Sequence, residues 1–223
     1  MPERRSIVPR NNGGEDLPII EAGLHFARCF SMIYIGTVDD EYQGKSITLT
    51  KIYVTWELPE MMYDFGGDTG MKPRVISQEY TLSFSTKAKL RAHLESWRNK
   101  AYTEEQIDQG VDITKLVGVS CMLNISHKNS QKTGKPYAYI SSISGVPKAM
   151  KENQPAAINE PFIFTYEPWD EELFKKVSEW LQKKMKETPE YKEATGQVAI
   201  SPEGATQNTT NANTEEEPDD LPF

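Results

Sequence analysis

The chain has 223 residues, of which 37% are hydrophobic and 26% charged, with a net charge of −8 and two cysteines. That length suffices for one sizeable core with appendages. No apolar run reaches the roughly 20 residues of a membrane helix, and two distant cysteines in apolar surroundings form no disulfide framework, which suits a reducing cytoplasm.

The acid is unevenly spread. Glu203, Glu215, Glu216, Glu217, Asp219 and Asp220 all fall within 195–223, a stretch without Lys or Arg, so the rest of the chain is close to neutral. A negative total therefore does not exclude an acidic ligand such as nucleic acid, because the local distribution of charge governs binding.

Residues 1–18, rich in Pro, Gly, Asn and charge, read as a flexible arm. Arg4, Arg5 and Arg10 give it positive charge, but no apolar core follows as a secretory signal requires. From Gly23 the pattern turns β-branched and apolar. Residues 23–38 predict a first strand and 45–58 a second, joined by a turn around Gly44. The second run changes phase: Ile47 and Leu49 share one face, while Ile52, Val54 and Trp56 share the other. A β-bulge near Thr50–Lys51 would reconcile the two. A long glycine-rich loop follows, then a third strand over 74–85.

Leu90, Leu94 and Trp97 at helical spacing predict an amphipathic helix over 86–100, capped by Ser85 or Thr86. Short helical or turn segments follow at 103–110 and 112–118. Val117, Val119, Cys121, Leu123 and Ile125 alternate as a fourth strand, and 137–146 form a fifth. Five strands with a helix between the third and fourth is the order of an OB-fold barrel. The expected organisation is an OB domain over 19–149 and a C-terminal extension over 150–193. The extension holds a short added strand at 161–168 and one helix over 170–187, with Leu173, Val177, Trp180 and Leu181 inward. An acidic tail over 194–223 is too poor in apolar residues to fold.

Two stretches carry binding chemistry. The loop 127–136 contains Lys128, Lys132 and Lys135 and no acid, and leads directly into Tyr137 and Tyr139 on one strand face. Cations for phosphates beside flat rings for bases suit a single nucleic-acid strand. Arg28, Lys51, Tyr53 and Trp56 on the other strands are further candidates, with Tyr34 and Tyr80, although packing in the core or under the C-terminal helix is the safer reading of each. Lys72 and Arg74 in the long loop are candidate phosphate contacts.

The second stretch is the terminal run Asp219, Asp220, Leu221, Pro222, Phe223. An apolar end on a polar tract is a tethered ligand: the Phe223 ring and α-carboxylate can fill a basic-rimmed apolar pocket on a partner. This run closely resembles the C-terminal tip of bacterial single-stranded DNA-binding proteins, which end in acidic residues and Ile-Pro-Phe; here Leu221 stands for the isoleucine. The resemblance implies docking of replication, recombination and repair enzymes. It covers only the last five to nine residues. The body's layout looks more like bacteriophage single-stranded DNA-binding proteins, which implies a bacterial host cytoplasm and leaves the bacterial family's tetramer in doubt.

Catalytic chemistry finds little support. The Thr133-Gly134-Lys135-Pro136 run lacks the upstream glycine and following hydroxyl of a P-loop. Asp39, Asp40, Asp64 and Asp68 would serve a metal-dependent nuclease only if they converged in space. His25, Cys29, Cys121 and His127 would form a zinc site only if strands one and four brought them together. No cofactor is expected. The expected function is sequence-tolerant binding of single-stranded DNA; the alternatives are a protein-interaction or recombination-mediator OB protein, and a phage nuclease.

Overall fold

The computed structural model describes residues 17–42, 44–67 and 69–197. It is mainly β: an open sheet of six strands with a few short helices. Two long strands, β1 (Gly23–Tyr42) and β2 (Lys45–Asp64), form an antiparallel hairpin. Three more strands, β3 (Met71–Thr81), β4 (Ser120–Asn129) and β5 (Pro136–Ser144), complete the antiparallel order β3-β2-β1-β4-β5. One edge of β1 is shared. β4 pairs with Gly23–Arg28, then leaves, and the short β6 (Phe162–Phe164) lies parallel to Ser31–Ile33.

Of the barrel expected from the strand order, the structure shows an open sheet among the described residues, because β3 and β5 share no strand pairing. Helix α1 (Lys89–Arg98) instead touches both edge strands. Its Leu90, Leu94 and Trp97 enter the core beside Tyr80 of β3 and Ile140 and Ile143 of β5. Tyr80 hydroxyl bonds His93 Nδ1 at 2.8 Å, and Trp97 Nε1 donates to the Ser120 carbonyl at 3.0 Å. A helix that fills the gap buries the apolar edge without a ladder across it. Its N-cap is Ala88, with no side-chain cap, rather than Ser85 or Thr86. α2 (Glu104–Asp108), by contrast, has a full capping box from Thr103 and Gln106, and a 3-10 turn follows at Ile113–Leu116.

The phase change in β2 is absorbed on its neighbour. The register with β1 shifts between Tyr34 and Gly36, opposite Ile52 and Lys51. Past that point Ile52, Val54, Trp56 and Leu58 all face the main core. The glycine-rich loop expected before β3 is mostly strand. β2 runs on to Asp64, and Met62, Tyr63 and Asp64 pair with Pro73, Lys72 and Met71. A register shift between Leu58 and Met62 precedes this arm, where Pro59 has no N–H for the ladder. Gly66, Gly67 and Gly70, all at positive φ, turn the tip. Asp39 and Asp40, expected in a turn, lie inside β1.

The C-terminal extension lies on the opposite face of the sheet. The single helix expected over 170–187 is broken into α3 (Glu171–Lys176) and α4 (Glu179–Lys186), followed by α5 (Pro189–Ala194). Val177 and Ser178 are extended at the break, both residue types of modest helix propensity. Phe174, Val177, Leu181 and Met185 then pack on Ile33 and Ile35 with Phe164 and Tyr166, forming a second core. Trp180, expected inward, is 42% exposed. Its ring meets Tyr53 edge-on at 5.3 Å.

Three polar anchors fix this extension. Glu57 is fully buried; it pairs with Arg28 at 3.2 Å and accepts from the Ile158 and Asn159 amides and the Asn159 side chain. Glu190 accepts from the Thr37 amide and hydroxyl and from Tyr34. Gly36 makes that approach possible, since a Cβ there would lie 2.7 Å from the Glu190 carboxylate. Lys184 bonds the largely buried Glu79 at 2.6 Å.

Candidate nucleic-acid interface

Strand register places the candidate residues relative to one another. β1 pairs with Ile125 at Gly23 and with Glu57 at Arg28, so β2 beyond Glu57 and β4 beyond Ile125 both run past the point where the chain enters β1. The β2–β3 arm and the β4–β5 hairpin therefore project from one end of the sheet. The β1–β2 turn lies at the other.

Residues 17–22 bridge the two projections. Arg74 Nη1 on β3 donates to the Pro18 carbonyl at 2.8 Å, and His127 Nε2 on β4 bonds the Ile20 carbonyl at 2.7 Å. Ile20 itself is buried in the main core. Lys72 and Arg74 thus share an end of the molecule with Lys128, Lys132 and Lys135. None of these proximities is visible in the linear sequence.

The β4–β5 hairpin owes its shape to its small polar groups. The Ser130 amide donates to the Lys135 carbonyl, and the Ser130 and Thr133 hydroxyls accept from the Thr133 and Lys135 amides. Gly134, at φ +69°, closes the turn. Lys132 and Lys135 are exposed on this scaffold. Tyr137 and Tyr139 are half-buried and lie on the face opposite Ala138 and Ile140, which pack into or against the core. Tyr137 faces Lys128 and Tyr139 faces Ser126 across the ladder. The Lys128 ammonium stands 5.6 Å from the Tyr137 ring centre and 5.1 Å from that of Tyr139. The result is a lysine over two rings on one face of an edge strand.

The remaining candidates are placed elsewhere. Trp56 is 1% exposed within the main core, so its ring offers no face to a base. The Arg28 guanidinium is committed to Glu57 and to the Pro155 carbonyl at 2.6 Å. Lys51 is largely buried and pairs with Asp40 at 3.5 Å. Tyr53 lies against Trp180 of the extension, and burial raises its pKa. Tyr34 is bonded to Glu190, and burial, reinforced by that carboxylate, pushes its phenol up to about 12. Tyr80 serves α1. All but Trp56 and Tyr80 occupy the sheet face beneath the C-terminal extension. Asp219, Asp220, Leu221, Pro222 and Phe223 lie outside the described residues.

Among the described residues, neither the acids Asp39, Asp40 and Asp64 nor the set His25, Cys29, Cys121 and His127 converges on one point. Asp39 faces Thr48, and β2 then runs sixteen residues to Asp64. At ~3.3 Å per residue that is about 50 Å of strand, far beyond the ~4 Å spacing of a two-metal site. Asp64 is also engaged, accepting from the Gly66 amide at 2.9 Å, and Asp68 lies outside the described residues. β1 and β4 do pair antiparallel, yet Cys121 and His127 stay six residues apart along β4, about 20 Å. One zinc ion with bonds of ~2 Å cannot span them. Burial raises the Cys29 thiol to about 12 and the Cys121 thiol well above its usual range, so both stay protonated. Among the described residues no cluster of His, Cys, Asp or Glu is arranged to hold a metal ion, and no helix is long and apolar enough to cross a membrane.

Tyr63 and Phe65 fall in the stretch expected as a glycine-rich loop but stand on the β2–β3 arm and its tip. Their signal was present: two aromatics at alternate positions before a Gly-Gly pair is a hairpin pattern. The chain matches no protein-family model and no curated protein.

Proposed function

We propose that this chain binds single-stranded DNA with little sequence preference, at the end of the sheet where the β2–β3 arm and the β4–β5 hairpin project. One observation carries the reading: Lys128 lies over Tyr137 and Tyr139, two rings on the face of an edge strand opposite the core. Bases of any identity stack on such rings, and lysines beside them neutralise phosphates. Lys132, Lys135, Lys72 and Arg74 extend the cationic surface on either side.

The fold is, in this reading, an OB-type barrel left open at one seam, which the order β3-β2-β1-β4-β5 and the packing of α1 between β3 and β5 support. In this reading the protein coats DNA during phage replication or recombination in a bacterial cytoplasm. Its terminal Asp219–Phe223 segment engages enzymes that act on that DNA, and the chain itself performs no chemistry.

The test is a gel-shift comparison of single-stranded DNA, duplex DNA and RNA, with wild type and with Tyr137→Ala and Tyr139→Ala. Each substitution is expected to cost roughly 1–3 kcal/mol of binding with an unchanged melting transition. Preference for duplex, or tyrosine variants that bind as wild type does, refutes the assignment.

A further inference from the structure

Beyond the bulge between Leu58 and Met62, β2 and β3 pair only with each other, so residues 62–64 and 71–73 form a two-stranded arm that leaves the sheet. An isolated two-stranded ribbon is marginal in water, and this one is held by its own side chains. Tyr63 and Phe65 meet edge-to-face at 5.1 Å, and the Arg74 guanidinium lies 5.5 Å from the centre of the Tyr63 ring. Opposite Tyr63 in the ladder is the exposed Lys72. The same alternation places Tyr63, Lys72 and Arg74 on the face that continues from Ile76 and Leu58 of the core, while Val75 points the other way.

Phe65 remains 39% exposed at the tip. The Asp64 carboxylate, next to Phe65, accepts from the Gly66 amide of the tip at 2.9 Å. The arm thus resembles, on a separate element, the combination seen on β5: two nearby aromatic side chains with a cation against a ring, here Arg74 against Tyr63. Both stand at one end of the sheet, joined by the bridge through Pro18 and Ile20.

We infer that the β2–β3 arm is a second base-stacking contact, in which Tyr63 and Phe65 hold bases of the same single strand that lies on Tyr137 and Tyr139, with Lys72 and Arg74 on the intervening phosphates. The inference rests on the proposed single-strand binding and adds a length requirement: a strand must be long enough to reach both elements before the arm contributes. An electrostatic contact alone would use Lys72 and Arg74 and leave the two rings idle.

The experiment measures anisotropy of labelled oligothymidylates on the full chain, one of about 5 and one of about 20 nucleotides, a range bracketing the site sizes of OB-type binders. Tyr63→Ala/Phe65→Ala is expected to weaken the long oligonucleotide at least about fivefold, and the short one less than about twofold. Phe65→Tyr, which keeps a ring at the tip, is expected to bind both as wild type does. A long-oligonucleotide affinity unchanged in the double variant overturns the arm and leaves the β5 platform standing, as does equal loss on both lengths. Wild type that binds neither oligonucleotide refutes the underlying reading instead. Should the double variant not show a cooperative melt, Phe65→Ala alone, at an exposed position, decides by the same comparison.

Discussion

Replacing Glu57 by alanine tests the packing that hides the sheet face under the C-terminal extension. Glu57 is fully buried, and its carboxylate receives the Arg28 guanidinium, the Ile158 and Asn159 amides, and the Asn159 side-chain amide. Removing one member of a buried ion pair costs about 3–5 kcal/mol, because the other charge is left without compensation. Two backbone amides also lose their acceptor, at roughly 1–3 kcal/mol each where water cannot replace it. Relaxation of the 155–160 segment toward solvent recovers part of that, so about 4 kcal/mol is a reasonable expectation. At roughly 2–4 °C per kcal/mol for a chain of this size, the melting temperature should fall by ~10 °C. Arg28→Ala should cost less, since Glu57 keeps its three other donors. Urea denaturation and a thermal melt measure both variants. A salt titration of DNA binding on Arg28→Ala completes the test, because the buried guanidinium should not contribute to the slope. A Glu57→Ala loss under 1 kcal/mol, or a shallower salt slope for Arg28→Ala, would refute the argument and return Arg28 to the DNA surface.

Replacing Lys128, Lys132 and Lys135 by alanine should weaken single-stranded DNA binding and reduce the magnitude of the salt slope by up to about 2, at ~0.7 per phosphate contact; an unchanged slope removes that hairpin from the interface. The extension's attachment should respond to pH at both extremes, measured by Trp fluorescence. Although burial opposes it, Glu190 is held below its usual range by the Thr37 hydroxyl and amide; that contribution is intact above about 4.5 and is lost as pH falls through the lowered value. Burial raises Tyr34 to about 12 and raises Tyr166 too, so their contribution is intact below about 10 and is lost as pH rises through the raised values. Loss of the extension's fluorescence signature near neutral pH would contradict both. Deleting residues 195–223 should leave DNA affinity equal or tighter below roughly 0.1 M salt, where screening is weak. Deleting Phe223 alone should abolish partner docking and spare DNA binding; a tail deletion that destroys DNA binding refutes the division of labour.

The β character, the strand order as far as β5, α1 with its Leu90, Leu94 and Trp97, and the lysine hairpin leading to Tyr137 and Tyr139 were all legible from periodicity and turn chemistry. Those signals are local: alternation and helical spacing report which face of an element is apolar. They do not report what covers that face. Arg28, Lys51, Tyr53 and Tyr34 were candidates for which packing in the core or under the C-terminal helix was the safer account, and sequence could not name their partners, which stand far along the chain or belong to the extension. Glu57 and Pro155 take Arg28, Trp180 takes Tyr53, and Glu190 takes Tyr34. Trp56 was on the correct strand but faced inward once the shift at Tyr34–Gly36 set the register. The arm at Met62–Asp64 was missed because glycines at its tip made a hairpin look like a loop. What the sequence determined was the alphabet of binding groups and the elements bearing them. Which of those groups face solvent together was decided by strand register and by the extension folding back over β1 and β2, contacts between residues more than a hundred positions apart.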